Sequence, residues 1–195
     1  MTDDKTLRFY ADNAATYARH AIAPTGEPLT RLLSALPSRA RILELGCGNG
    51  RDAAHMLAQG YDVDPTDGTP ELAREAETRL GKPVRVIRFE QLDAMAVYDG
   101  IWACASLLHV ADADLEAVLV RIHRALRPGG VFTASYKAGR AEGRDMLDRH
   151  YNYPTAERLT EAYRAAGWTH LQLETEMGSG YDALPTQWLW MTARK

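Results

Sequence analysis

Apolar positions recur at helical spacing over the first forty residues and then settle into another rhythm. Tyr10, Asn13, Ala14, Tyr17 and Ala18 fall on one face of a predicted helix. The stretch Ala23-Pro24-Thr25-Gly26-Glu27-Pro28 breaks that pattern. Leu29, Leu32, Leu33 and Leu36 predict a second amphipathic helix, stopped by Pro37. From Arg41 onward strands and helices alternate. Strands are predicted over 41–45, 61–66, 84–88, 98–105 and 131–136. Helices are predicted over 51–59, 71–80 and 115–126. Gly60 closes the first of these, Thr69 caps the second with Pro70 as its first helical residue, and Pro128-Gly129-Gly130 ends the third. This alternation specifies right-handed βαβ units: an α/β fold with a parallel sheet and helices on both faces.

The last third adds a helix over 155–166 and two strands, about 170–176 and 187–193. Met177-Gly178-Ser179-Gly180-Tyr181 is long enough for a loose hairpin between them. Trp188 and Trp190 share a face of the last strand, where core packing is favoured over a subunit interface. Pro65 cannot donate to a ladder, so its strand should be interrupted or near an edge.

At 195 residues with 46% hydrophobic and 25% charged, the chain reads as one globular domain over 1–195. A net charge of −3 argues against broad electrostatic binding to nucleic acid or anionic membrane, while leaving room for a local basic patch. Two cysteines, Cys47 and Cys104, cannot build a disulfide framework or a four-thiolate zinc site. His20, His55, His123, His150 and His170 lack metal-ligand spacing, so no metal is expected. The longest apolar run, 101–110, is broken by Ser106 and His109 and falls short of the roughly 18 residues of a membrane span. Met1-Thr2-Asp3-Asp4 is acidic where a signal peptide is basic. The expectation is a soluble cytoplasmic protein, its oligomeric state unread.

The chemistry concentrates in Ile42-Leu43-Glu44-Leu45-Gly46-Cys47-Gly48-Asn49-Gly50, where a strand feeds a glycine turn that opens a helix. Glycine there accepts unusual dihedrals and lets a ligand approach closely. The spacing is G-x-G-x-G. A dinucleotide fingerprint would put its third glycine at Arg51, and no G-K-[ST] follows. Asp67 ends the next strand 23 residues after Glu44, where a carboxylate can take both hydroxyls of a ribose. Turn formation in Asp67-Gly68 is the plainer alternative.

These segments, with Phe9-Tyr10, Tyr98-Asp99-Gly100-Ile101-Trp102, Leu107-Leu108-His109 and Leu126-Arg127-Pro128-Gly129-Gly130, resemble a class I S-adenosylmethionine-dependent methyltransferase of the small, single-domain bacterial type. The resemblance runs in order along nearly the whole chain. It implies a Rossmann-like, seven-stranded, mostly parallel sheet with the last strand antiparallel. It implies S-adenosylmethionine as cofactor and S-adenosylhomocysteine as product. Residues 1–38 would cap the cofactor pocket, and 137–154 would form a substrate-side insertion. Gly46, Cys47 and Gly48 would contact the methionine end, with Glu44 orienting the loop. Asp67 would hold the ribose, with Gly68 and Thr69 beside the adenine and backbone at Gln91 and Leu92 reading its edge. Ala105 and Ser106 would lie near the reactive methyl. Tyr10 and Tyr17 would close over the carboxylate, unless they merely pack on the sheet edge. Many relatives carry an Asp after the third strand; Phe89 or Glu90 stands there in this chain.

Methyl transfer from a sulfonium is an in-line displacement that needs proximity and, for some acceptors, a base. His109 is the first base candidate, with Tyr136 and Lys137 behind it. Its plainer role is a helix-start residue bonded to backbone. Substrate contacts are expected from Tyr136, Arg144, Tyr151 and Tyr153. Arg144 with Tyr151 or Tyr153 could clamp an anionic small molecule. The alternative for this stretch is a solvated, mixed-charge helix. The expected function is methyl transfer to a small molecule. Competing readings are a non-catalytic S-adenosylmethionine-binding protein, a nicotinamide oxidoreductase, which the glycine spacing disfavours, and a methyltransferase acting on RNA or protein.

Overall fold

A computed structural model describes residues 3–20 and 24–195. Met1, Thr2 and Ala23, used above, lie outside the described residues. Seven strands form one sheet in the order β3-β2-β1-β4-β5-β9-β8. Their ranges are β1 Arg41–Leu45, β2 Asp62–Asp67, β3 Arg85–Val86, β4 Tyr98–Ala103, β5 Leu126–Lys137, β8 His170–Ser179 and β9 Pro185–Arg194. β1 to β5 pair in parallel, and β9 runs against both β5 and β8. The last strand is thus antiparallel, as the resemblance implied.

Side-chain alternation along the strands divides the core into two layers. Ile42, Trp102, Val131 and Trp190 pack on α3 (Glu27–Ser34) and α4 (Arg51–Ala58) through Leu29, Leu32, Ala53 and Met56. Leu43, Ile101, Phe132 and Met191 face α6 (Asp112–Ala125) and α7 (Ala156–Ala165). Trp190 stacks on Trp102 with ring centroids 5.5 Å apart, which gives that tryptophan the core role expected of it.

Several elements differ from their predicted form. The first helix breaks at Asn13 into α1 (Asp4–Asp12) and α2 (Ala14–Arg19), because the Asn13 amide donates back to the Phe9 carbonyl. β3 keeps two residues of the predicted 84–88 and pairs only with Thr66 and Asp67. Asp62 to Pro65 therefore run along an open edge, the setting Pro65 requires. β5 starts at Leu126 and absorbs Pro128-Gly129-Gly130, with a register irregularity against β4. α5 spans Pro70–Leu80 as expected. The stretch after β5 is no helix: β6 (Gly143–Arg144) and β7 (His150–Tyr151) pair as a small antiparallel hairpin. β8 and β9 pair as far as Ser179 and Pro185, so their connection is residues 180–184 rather than 177–181.

Candidate cofactor and acceptor site

The glycine turn is anchored by its neighbours' backbone. Gly46 and Cys47 both donate to the Thr66 carbonyl, at 2.9 and 2.8 Å. Gly46 sits at φ +73°, and a Cβ there would stand 2.5 Å from the Ser106 Cβ. Gly48, at φ +56°, lies under Tyr17: its Cβ would come within 3.2 Å of that ring. Only glycine allows this approach without strain. Ala105, two residues past the end of β4, also adopts a positive φ, +50°. Strain of this kind concentrates at functional sites.

Asp67 closes the floor. Its Oδ2 accepts from Gly48 N at 2.9 Å and its Oδ1 from Thr69 N at 2.8 Å. The Thr69 hydroxyl also turns to this carboxylate rather than capping α5. Burial pushes the Asp67 pKa up to about 6 against these hydrogen bonds. Glu44 is 3% exposed, and its Oε2 has no hydrogen-bond partner among the described residues. Burial, with repulsion from Asp52, holds it well above the usual carboxylate range.

Two cavities meet at this turn. A narrow cleft of about 70 Å³ lies between Asp67-Gly68-Thr69 and Thr6, Leu7 and Tyr10 of α1. A larger one of about 550 Å³ opens toward α3 and the β8–β9 hairpin. Tyr17, Gly46, Gly48, Cys104 and Ala105 line both. The narrow cleft is far below the ~300 Å³ at which ligand pockets begin.

His109 stands at the cleft wall, 6% exposed. Its Nδ1 donates to the His150 carbonyl at 2.5 Å, which leaves Nε2 to accept from the Tyr10 hydroxyl at 2.9 Å. Burial drives its pKa down to about 3. The imidazole is thus hydrogen-bonded at both nitrogens, one of them to backbone.

Other expected residues fall elsewhere. Gln91 is exposed and caps its own short helix, its Oε1 accepting from Arg88 N at 2.8 Å; Leu92 is core. Because β3 is so short, the chain turns early, and Ile87, Arg88 and Phe89 line the cleft instead. Of the two candidates for that position, Phe89 lines the cleft and Glu90 does not. Tyr136 is fully buried on the α7 side, its hydroxyl 3.1 Å from that of Tyr163, so it faces neither cavity. Arg144 points outward to Asp3, at 2.7 Å, and to Asp148. The Ser106 hydroxyl donates to the Leu45 carbonyl at 2.7 Å and so braces the turn.

Two cations are buried in this region, Lys137 at 5% and Arg149 at 1% exposed, and the sequence did not separate Arg149 from Arg144. Arg149 pairs with Asp145 at 2.6 Å and donates to the Tyr10 hydroxyl at 3.3 Å. The rings of Phe9, Tyr10, Tyr151 and Tyr181 surround it at 5.0 to 5.8 Å. Tyr151 packs on His109, and Tyr153 stacks on Tyr151, behind the cavities rather than in them. Only long-range packing distinguishes Arg149 from its neighbours, and no local signal marks it.

Comparison with known proteins agrees with this geometry. A family model described as a methyltransferase domain matches residues 16–173. The chain belongs to the class I S-adenosylmethionine-dependent methyltransferases. It is 30% identical to the Burkholderia thailandensis 1,6-didemethyltoxoflavin-N1-methyltransferase, whose structure holds 1,6-didemethyltoxoflavin and S-adenosylhomocysteine. The TM-score is 0.74, over 97% of this chain and 84% of that one. It is 31% identical to the trans-aconitate 2-methyltransferase of Variovorax paradoxus over 88% of this chain and 66% of that protein. It is 38% identical to the biotin biosynthesis bifunctional protein BioCD of Bordetella avium over 57% of this chain and 24% of that protein. The chain therefore spans less than two thirds of the length of these curated relatives.

Proposed function

We propose that this chain transfers a methyl group from S-adenosylmethionine to a small-molecule acceptor. The observation that carries this reading is the meeting of the two cavities over one glycine turn, with a buried carboxylate on each side. Asp67 would hold the ribose hydroxyls in the narrow cleft, with Gly68 and Thr69 beside the adenine. Glu44, whose Oε2 lacks a partner among the described residues, would take the cofactor's ammonium. Gly46, Cys47 and Gly48 would line the methionine end under Tyr17. The cofactor supplies an activated methyl, so the chain's work is binding, alignment and exclusion of water.

Ala105, at the junction, faces the point where acceptor and methyl meet. Tyr10, held by His109 and Arg149, closes α1 over the cleft. His109 acts by positioning Tyr10. The free thiols Cys47 and Cys104 fit the reducing cytoplasm, where we place the protein. Among the described residues, no helix is long and apolar enough to cross a membrane. The test is transfer of isotopically labelled methyl from S-adenosylmethionine into a fractionated cell extract. Label in the small-molecule fraction is the expected result. Label confined to RNA or protein would contradict it.

A further inference from the structure

We propose that the acceptor is a small cationic amine, held in the larger cavity with its charge against Glu176 and Trp188. This rests on the methyl-transfer reading and adds the acceptor's chemical class. The cavity, about 550 Å³, is lined by four carboxylates, Glu27, Glu44, Asp52 and Glu176, against one cation, Arg51. Three of the carboxylates have other duties. Glu27 pairs with Arg31 at 2.9 Å. Asp52 accepts from Thr25 N, the Thr25 hydroxyl and Trp102 Nε1 at 2.7, 2.8 and 3.0 Å. Glu44 faces the cofactor's end. The Glu176 carboxylate has no hydrogen bond or ion pair among the described residues.

Its surroundings suit a cation. In the β8–β9 register Glu176 stands directly opposite Trp188, so both project to one face. Tyr181 and Trp190 complete an aromatic wall. Cations bind over such rings, and a carboxylate beside them adds Coulomb attraction. Trp190 is 8% exposed, and its indole N–H has no partner among the described residues.

An anionic acceptor finds little here. Lys137 and Arg149 approach the Trp188 and Tyr181 rings, at 5.9 and 5.3 Å, from outside the cavity lining, and are held by Asp182 at 3.3 Å and Asp145 at 2.6 Å. Arg51 lies 3.5 Å from Asp52. In the reaction the ammonium first yields a proton to water or to the Glu176 carboxylate. The freed nitrogen lone pair bonds the methyl carbon as the carbon–sulfur bond breaks, and that bond's electrons stay on sulfur. The product is an N-methylammonium and a neutral thioether.

The experiment titrates two matched probes, benzylamine and benzoate, into protein saturated with S-adenosylhomocysteine, read by calorimetry. Benzylamine is expected to bind at least about tenfold more tightly. Glu176→Gln, an exposed change on an edge strand, should reduce that preference below about threefold and leave S-adenosylhomocysteine affinity unchanged. Equal or tighter benzoate binding, no binding of either probe at millimolar concentration, or a preference that survives Glu176→Gln would overturn the amine assignment. Loss of S-adenosylhomocysteine binding by the unaltered protein would overturn the methyltransferase reading as well.

Discussion

Asp67 and Arg149 are both buried charges beside the same groove, and they are satisfied in different ways. Asp67 finds its partners close in sequence: Thr69 two residues on, Gly48 nineteen back. All three sit at or just beyond the ends of parallel strands. Arg149 is held by Asp145 nearby, but its aromatic surround draws on Phe9 and Tyr10 at one end of the chain and Tyr181 near the other. The cofactor end is thus built from backbone turns that adjacent strands impose. The opposite side is built from side chains that only tertiary packing brings together. Turns of the first kind leave a local trace in sequence, whereas clusters of the second kind leave almost none.

The largest expected effect is at the packed cluster. Arg149→Ala removes the ion partner of Asp145 and leaves it two backbone donors, and breaking a buried ion pair costs about 3–5 kcal/mol. Urea unfolding of the variant checks this. A loss under about 1 kcal/mol would mean that the ring cage, not the charge, holds the region.

Next comes the turn. Gly46→Ala must accept a left-handed conformation and a contact with Ser106 that has no room. S-adenosylhomocysteine affinity should fall at least about hundredfold, roughly 3 kcal/mol by calorimetry.

The two regions also titrate with opposite sign. His109, drawn down to about 3, stays neutral in the fold while the unfolded chain protonates near 6.5. Its share of stability is present above pH 6.5 and is lost as pH falls toward 3. Asp67, raised to about 6, takes up its proton in the fold before the unfolded chain does near 3.8. Its share is present below pH 3.8 and is lost as pH rises toward 6. Each slope reaches at most about 1.4 kcal/mol per pH unit. Between pH 6 and 4 the two oppose each other in the unaltered protein. His109→Gln should therefore make stability rise toward acid over that window, and Asp67→Asn should steepen the loss. Unfolding free energies at a series of pH values separate the two.

The smallest effect is at the surface. Arg144 is solvated and joined to Asp3 and Asp148 outside both cavities. Arg144→Ala should leave both the melting temperature and the Michaelis constant for the acceptor within error.

The same contrast explains what the sequence made legible. The strand rhythm and the G-x-G-x-G spacing placed β1, β2 and β4 and the turn over which both cavities lie. Pro65 pointed to the open edge along β2. Ile87, Arg88 and Phe89 line the cleft rather than Gln91 and Leu92, because the third strand stops at Val86. Tyr136 ends an alternating run, yet which face it joined depended on α7. Arg144 and Arg149 look alike in a mixed-charge stretch, and only the β6–β7 hairpin turns one outward and the other inward.

The most direct test of the cofactor assignment is a calorimetric titration of S-adenosylhomocysteine into the unaltered protein and into Asp67→Ala, with the fold of each checked by circular dichroism. The expected result is one-to-one binding by the unaltered protein and affinity at least about hundredfold weaker in the variant. Equal affinity in the two folded proteins would mean that the cofactor does not lie against Asp67. The joined-cavity account would then be wrong.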